Sequence, residues 1–144
     1  MLSEEALRRI GDVDRAPTEQ RIRRLFELWS RGDVAAIIEH LAPDVIFPSH
    51  GFWSGSSAPV HGRERAAAAL RKWADAFENI VSVLHEVLID GDRAVVHRTA
   101  VGRLRDSGRR YQCDSIAFFR FRDGLIVEYS DYPDAAVPKL VANG

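Results

Sequence analysis

The chain predicts an α+β domain, with helices first and a curved, mostly antiparallel sheet after them. Two observations carry this. Between residues 18 and 77 three segments carry apolar side chains at helical spacing, whereas from residue 80 they fall into four runs, at about 80–89, 93–105, 110–122 and 125–132. The runs are joined by Asp90-Gly91-Asp92, Asp106-Ser107-Gly108 and Asp123-Gly124, the chemistry of short hairpin turns, so they form a meander with helices packed on one face.

Taken in order, residues 1–16 are polar and end before Pro17, which predicts a short helix or an arm ahead of one domain at 17–144. Thr18 is placed to cap a helix that buries Ile22, Leu25, Phe26 and Trp29 and stops at Gly32. Asp33 caps a shorter helix with Val34, Ile37, Ile38 and Leu41, closed by Pro43. Val45-Ile46-Phe47 is a short strand stopped by Pro48. Residues 50–62 form a Gly-, Ser- and Pro-rich loop around Phe52 and Trp53, and a third helix follows from Arg63 with Ala66, Leu70, Trp73, Ala74 and Phe77 on one side. In the last strand Leu125, Val127, Tyr129 and Asp131 share one face, and Ile126, Glu128, Ser130 and Tyr132 share the other.

Composition narrows the function classes. A net charge of −1 gives no reason to expect nucleic acid or an anionic membrane as partner. Cys113 is the only cysteine, so no disulfide closes within the chain. The opening residues lack the basic and apolar regions of a secretion signal, and no apolar run approaches the ~20 residues of a membrane span, so a cytoplasmic protein is expected. His40, His61, His85 and His97 form no pair at metal-ligand spacing, and no glycine-rich phosphate loop is present; neither a metal nor a cofactor is expected. The Arg103, Arg105, Arg109 and Arg110 cluster flanks a turn and reads as a solvated surface. Cys113 shares the parity of Ser115, Ala117 and Phe119 and reads as interior lining, not as a nucleophile.

Four stretches together resemble the SnoaL-like branch of the nuclear transport factor 2-like superfamily: Leu41-Ala42-Pro43-Asp44-Val45-Ile46-Phe47, His61-Gly62-Arg63-Glu64, Asp90-Gly91-Asp92-Arg93-Ala94-Val95-Val96, and Phe119-Arg120-Phe121-Arg122-Asp123-Gly124 leading to Tyr129-Ser130-Asp131-Tyr132. The resemblance spans roughly residues 18–136. It implies a cone in which the sheet wraps around the helices and leaves an apolar pocket. It also implies a range of activities, among them ketosteroid isomerisation, polyketide ring closure, epoxide hydrolysis and plain ligand binding, so the fold leaves function open.

Carried over residue by residue, the resemblance makes Asp131 the acid/base carboxylate of a polyketide cyclase or epoxide hydrolase. The alternative is a structural Asp paired with Arg98, and a carboxylate beside a guanidinium is a weaker base than one left unpaired in a dry pocket. Arg98 matches the epoxide hydrolase arginine, but the carboxylate expected two residues on is Ala100, which counts against epoxide hydrolysis. The hydrogen-bonding acid of ketosteroid isomerases falls at Ala117, and the first helix has no Tyr. Phe47 and Ser49 fall where epoxide hydrolases hold a water. His50 is a loop residue that titrates in the useful range or is simply solvated. Tyr129 shares the Asp131 face, and Trp29, Trp53, Trp73 and Phe119 read as core or pocket lining.

The expected function is acid/base catalysis without a cofactor, of cyclase or isomerase type, on a small apolar carbonyl compound such as a polyketide-like or terpenoid metabolite. Asp131 is the base, Arg98 its partner or oxyanion stabiliser, and Tyr129, Ser49 and His50 are auxiliary. The alternative is a non-catalytic binding protein. Two further expectations concern surfaces: a homodimer through Asp114, Ile116, Phe118, Arg120, Ile126 and Glu128 on the outer sheet face, and a lid formed by residues 50–60 with Trp53 closing the pocket.

Overall fold

The first helix, α1 (Glu4–Ser30), begins where Ser3 Oγ accepts the Ala6 N–H at 3.1 Å, with Glu4 and Glu5 in the first turn favouring the positive helix end. These details come from a computed structural model that describes residues 1–48 and 58–133, and the backbone alone for residues 7–14. The break expected at Pro17, with Thr18 as a cap, is absent: the helix runs through the proline. An interior proline removes one helical hydrogen bond and costs about 3 kcal/mol, and anchoring on both sides offsets that. Ahead of it Arg15 Nη2 donates to Val87 O at 3.0 Å; beyond it Ile22, Leu25 and Phe26 are buried in the core.

The end of α1 follows the sequence reading. Gly32, at φ 69°, donates to Trp29 O and Asp33 donates to Leu28 O, a Schellman closure that uses two of the carbonyls a helix end leaves orphaned. The Asp33 side chain then accepts the Ala36 N–H and starts α2 (Val34–Ile38). Pro43 does not close that helix. It lies inside β1 (Leu41–Phe47), where the register against its neighbour shifts between Leu41 and Ile46, so its missing N–H breaks no regular ladder. After β2 (Val60–His61), α3 (Arg63–Ala76) is tied to β1 at its first residue: Arg63 Nε and Nη2 both donate to Leu41 O, at 3.0 and 2.7 Å. That clamp gives the Gly62-Arg63 step a physical purpose.

The remaining strands are β3 (Phe77–Asp90), β4 (Arg93–Leu104), β5 (Arg110–Arg122) and β6 (Leu125–Pro133), within a few residues of the four apolar runs. The sheet order is β2-β1-β6-β5-β4-β3, antiparallel except for the parallel β1–β6 pair. Asp123 and Gly124 both take positive φ, 53° and 79°, as a two-residue hairpin requires. A Cβ at position 124 would also sit 3.0 Å from Arg21 Nη2.

Register shifts in β3, at Glu78/Val81 and Leu84/Glu86, and between β5 and β6 bend the sheet around the helices. The β5–β6 shift corrects one expectation. Arg120 opposes Glu128 but Phe121 opposes Ile126, so Val127 is an extra residue and the side-chain alternation slips there. Ile126 therefore turns inward, 3% exposed, and does not join the outer face with Glu128.

Candidate functional site

Arg98 and Asp131 meet on the inner face of the sheet. Arg98 is on β4 opposite Ser115, and Asp131 is on β6 opposite Ala117, with β5 between them. The guanidinium crosses β5 over its small residues and Nη2 donates to Asp131 Oδ2 at 2.8 Å, the two side chains being 7% and 0% exposed. Its other arm, Nη1, donates to Ser82 Oγ on β3 at 3.0 Å. A single guanidinium reaching side chains on β3 and β6 requires the sheet to curl. From the helix layer Phe26 covers it, with the guanidinium carbon 4.9 Å from the ring centre.

Tyr129, two residues before Asp131, donates its hydroxyl to the same Oδ2 at 3.2 Å. Its ring packs edge-on against Phe119 (4.8 Å) and Phe47 (5.8 Å). Burial and the Asp131 charge, opposed by Arg98, hold the Tyr129 hydroxyl well above its ordinary range, so it stays a donor. For Arg98, burial disfavours the charge, but Asp131 together with Tyr129 and Tyr111 outweighs it and the guanidinium is held more firmly protonated than usual. Burial, with a contribution from Cys113, likewise pushes up the Tyr111 hydroxyl on β5.

Beside this cluster lies a cavity of about 50 Å³, room for a few water-sized groups rather than a fused ring system. Leu25, Phe26, Trp29, Ile37, Leu41, Phe47, Leu70, Phe119 and Ile126 give it apolar walls, and Arg98 and Tyr129 supply its polar side. The structure thus places the expected Arg98, Tyr129, Phe47, Trp29 and Phe119 together around one space. Asp131 stands behind Arg98 and Tyr129 and is not part of the wall. Phe47 is packed against Tyr129. Ser49, His50, Trp53 and the rest of the expected lid up to residue 57 lie outside the described residues.

Sequence reasoning missed Ser82 and the placement of Phe26 over Arg98. Ser82 carries no motif, and its contact depends on the β3–β4 register, in which it opposes Ala100 and stands diagonal to Arg98. Phe26 was legible as a buried helix position, but not its partner. Ile126 was hidden by the bulge. On the opposite face Asp114 is exposed, as expected, and accepts from Thr99 Oγ1 at 2.5 Å; Thr99 Oγ1 also lies 2.7 Å from His85 Nε2. Among the described residues no group of His, Cys, Asp and Glu is arranged to hold a metal, and no helix is long and apolar enough to cross a membrane.

Residues 22–129 match the family described as a SnoaL-like domain. Solved structures agree in fold. A Bacillus subtilis protein named as a candidate isomerase superposes with TM-score 0.79 at 18% identity, over 91% of this chain and 96% of that one. TsrD from Streptomyces laurentii gives TM-score 0.72 at 27% identity, over 88% and 96%. A candidate SnoaL-like polyketide cyclase from Jannaschia gives 0.72 at 21%, over 88% and 91%. No curated protein matches the sequence closely enough to count as a relative.

Proposed function

The chain belongs to the SnoaL-like domain family, and from that premise we propose that it binds a small apolar carbonyl compound and moves a proton on it, as a cyclase or isomerase does, without a cofactor. One observation carries the reading: Arg98 and Tyr129, both bonded to the buried Asp131 behind them, form the polar side of an otherwise apolar cavity. In this mechanism Arg98 and Tyr129 donate hydrogen bonds to the substrate oxygen, where charge develops as an enolate forms. Asp131 accepts the proton from the adjacent carbon and returns it at a second position. Because Asp131 stands behind the cavity wall, the step needs the Tyr129 ring or the Arg98 head to shift when substrate enters. Ala100 leaves this strand without a second carboxylate, which argues against epoxide opening.

The test is deuterium uptake at carbons next to the carbonyl in a panel of small ketones, followed by NMR. Asp131→Asn is expected to slow uptake about 10²–10⁴-fold. Undiminished exchange in a folded Asp131→Asn protein rules the catalytic reading out.

A binding-only reading has its own support: Asp131 Oδ2 is already occupied by two donors and the carboxylate does not line the cavity. Ketones that bind in the cavity but exchange no faster than in buffer favour it.

The outer sheet face supports a homodimer. Val81, Val83, Leu88, Ile116 and Tyr132 are all at least 41% exposed there. Sedimentation at high micromolar concentration should give twice the chain mass; a monomer contradicts the assembly.

A further inference from the structure

Three polar atoms on the inner face remain after the contacts above are counted: Arg98 Nε, Ser115 Oγ and Asp131 Oδ1. Each is buried and has no hydrogen-bond partner among the described residues. Their residues are 6%, 4% and 0% exposed. A fourth atom of this kind, Arg120 Nε, lies 3.3 Å from Glu128 and belongs to a surface ion pair. The three are neighbours by register. Arg98 on β4 faces Ser115 on β5 directly, and Asp131 on β6 faces Ala117, one step along the same face from Ser115. Directly opposed residues have Cβ atoms roughly 4.5–5.5 Å apart and diagonal ones stand roughly 7–8 Å apart, so the three side chains share one patch of the inner face.

Their chemistry is complementary to a hydroxyl. Arg98 Nε–H can only donate, the Asp131 carboxylate oxygen accepts, and a serine hydroxyl does either. A bare carbonyl would leave Asp131 Oδ1 facing an acceptor, and an ammonium would face the Arg98 charge. We propose that Arg98 Nε, Ser115 Oγ and Asp131 Oδ1 form one subsite for a hydroxyl-sized group, either a water or a ligand hydroxyl, which accepts from Arg98 and donates to Asp131. The subsite accounts for Ser115, which neither the ion pair nor the cavity wall uses. It deepens the reading of the Arg98–Asp131–Tyr129 cluster as the polar end of a ligand site. Its test does not involve turnover, so it fails or stands apart from the catalytic reading, which Asp131→Asn decides.

The first measurement is a crystal structure of the full chain, grown without small alcohols, at a resolution that shows waters. One ordered oxygen is expected within about 3.2 Å of all three atoms, and it should be lost in Ser115→Ala crystals. Empty space there, or a side chain of this same chain bonded to the three atoms, overturns the proposal. The second is an NMR titration with phenol and with benzene, which separates the two sources. If the subsite takes a ligand hydroxyl, phenol displaces the ordered oxygen and binds about three- to tenfold more tightly than benzene, and that preference disappears in Ser115→Ala. If the oxygen stays in place under saturating phenol, the group is a resident water and the ligand half of the proposal is overturned.

Discussion

Arg98–Asp131 and Arg122–Asp44 are the same chemical pair placed in opposite surroundings. The outer pair is the shorter, at 2.6 Å against 2.8 Å, and makes two hydrogen bonds to the carboxylate instead of one. Yet its side chains are 56% and 63% exposed, whereas the inner pair is 7% and 0%. Water screens the first and pays back most of what its loss would cost. The second has no water to return to, so each partner's fate depends on the other. Distance ranks these pairs in the wrong order and burial in the right one. The contrast also appears within two adjacent residues of β4: Arg98 turns inward to Asp131, and Thr99 turns outward to Asp114.

The sharpest way to break the comparison is to remove one inner partner. Arg98→Met should destabilise the fold by about 3–5 kcal/mol, because it leaves Asp131 buried without its counter-charge. The double variant Arg98→Met/Asp131→Leu should recover most of that loss. Urea denaturation of the three proteins measures it; a single variant as stable as the parent would mean the pair is not buried in solution.

Ala117 offers a way to separate the partners without touching either. The guanidinium passes over β5 beside this fully buried alanine. Ala117→Leu should cost about 1–3 kcal/mol from overpacking and also push Arg98 away from Asp131. The check is a crystal structure of the variant. An unchanged 2.8 Å contact would show that the crossing does not depend on a small residue.

How much of this was legible in the sequence follows from what each feature depends on. The strand runs, the Gly32–Asp33 junction and the Asp123-Gly124 turn are local, and they are where the residue pattern puts them. The face that Asp131 shares with Tyr129 was legible too, because period-two alternation holds along the end of β6, and the resemblance pointed to Arg98. Alternation failed at Val127, where one extra residue turned Ile126 inward; a bulge leaves no mark in an apolar run. Pro17 misled because the cost of an interior proline is local, while the contacts that offset it, Arg15 to Val87 and the buried Ile22 face, are tertiary. Ser82 and Ser115 were invisible as site residues, since their meaning comes from the strand register and from the atoms left without partners.

Tyr129 sharpens the inner half further. Tyr129→Phe removes one of the two donors to Asp131 Oδ2 but leaves Arg98 in place, so a smaller loss is expected, about 1–3 kcal/mol. The pH dependence has a definite sign. Folded Tyr129 and Tyr111 hold their protons above the ordinary tyrosine value of 10.0, whereas in the unfolded chain they ionise near it. Their contribution is complete below pH 10 and falls as the pH rises beyond it. Stability measured from pH 8 to 11 should therefore decline above 10, less steeply in Tyr129→Phe; an equal slope in both proteins would contradict the burial of that hydroxyl.

The smallest effect belongs to the outer pair. Arg122→Ala removes both hydrogen bonds to Asp44, which lies well outside the core, and each group regains water where it lost a partner. The contact between them is the main cause of the raised affinity of Arg122 for its proton and of the lowered one of Asp44, and desolvation opposes both shifts. The melting temperature should stay within measurement error at physiological salt, and Asp44→Asn should behave the same way. A clear drop for both, absent at high salt, would mean that the pair is shielded in solution. Given the apolar side chains elsewhere on the outer face, a second copy of the chain would then be the first candidate for the shield.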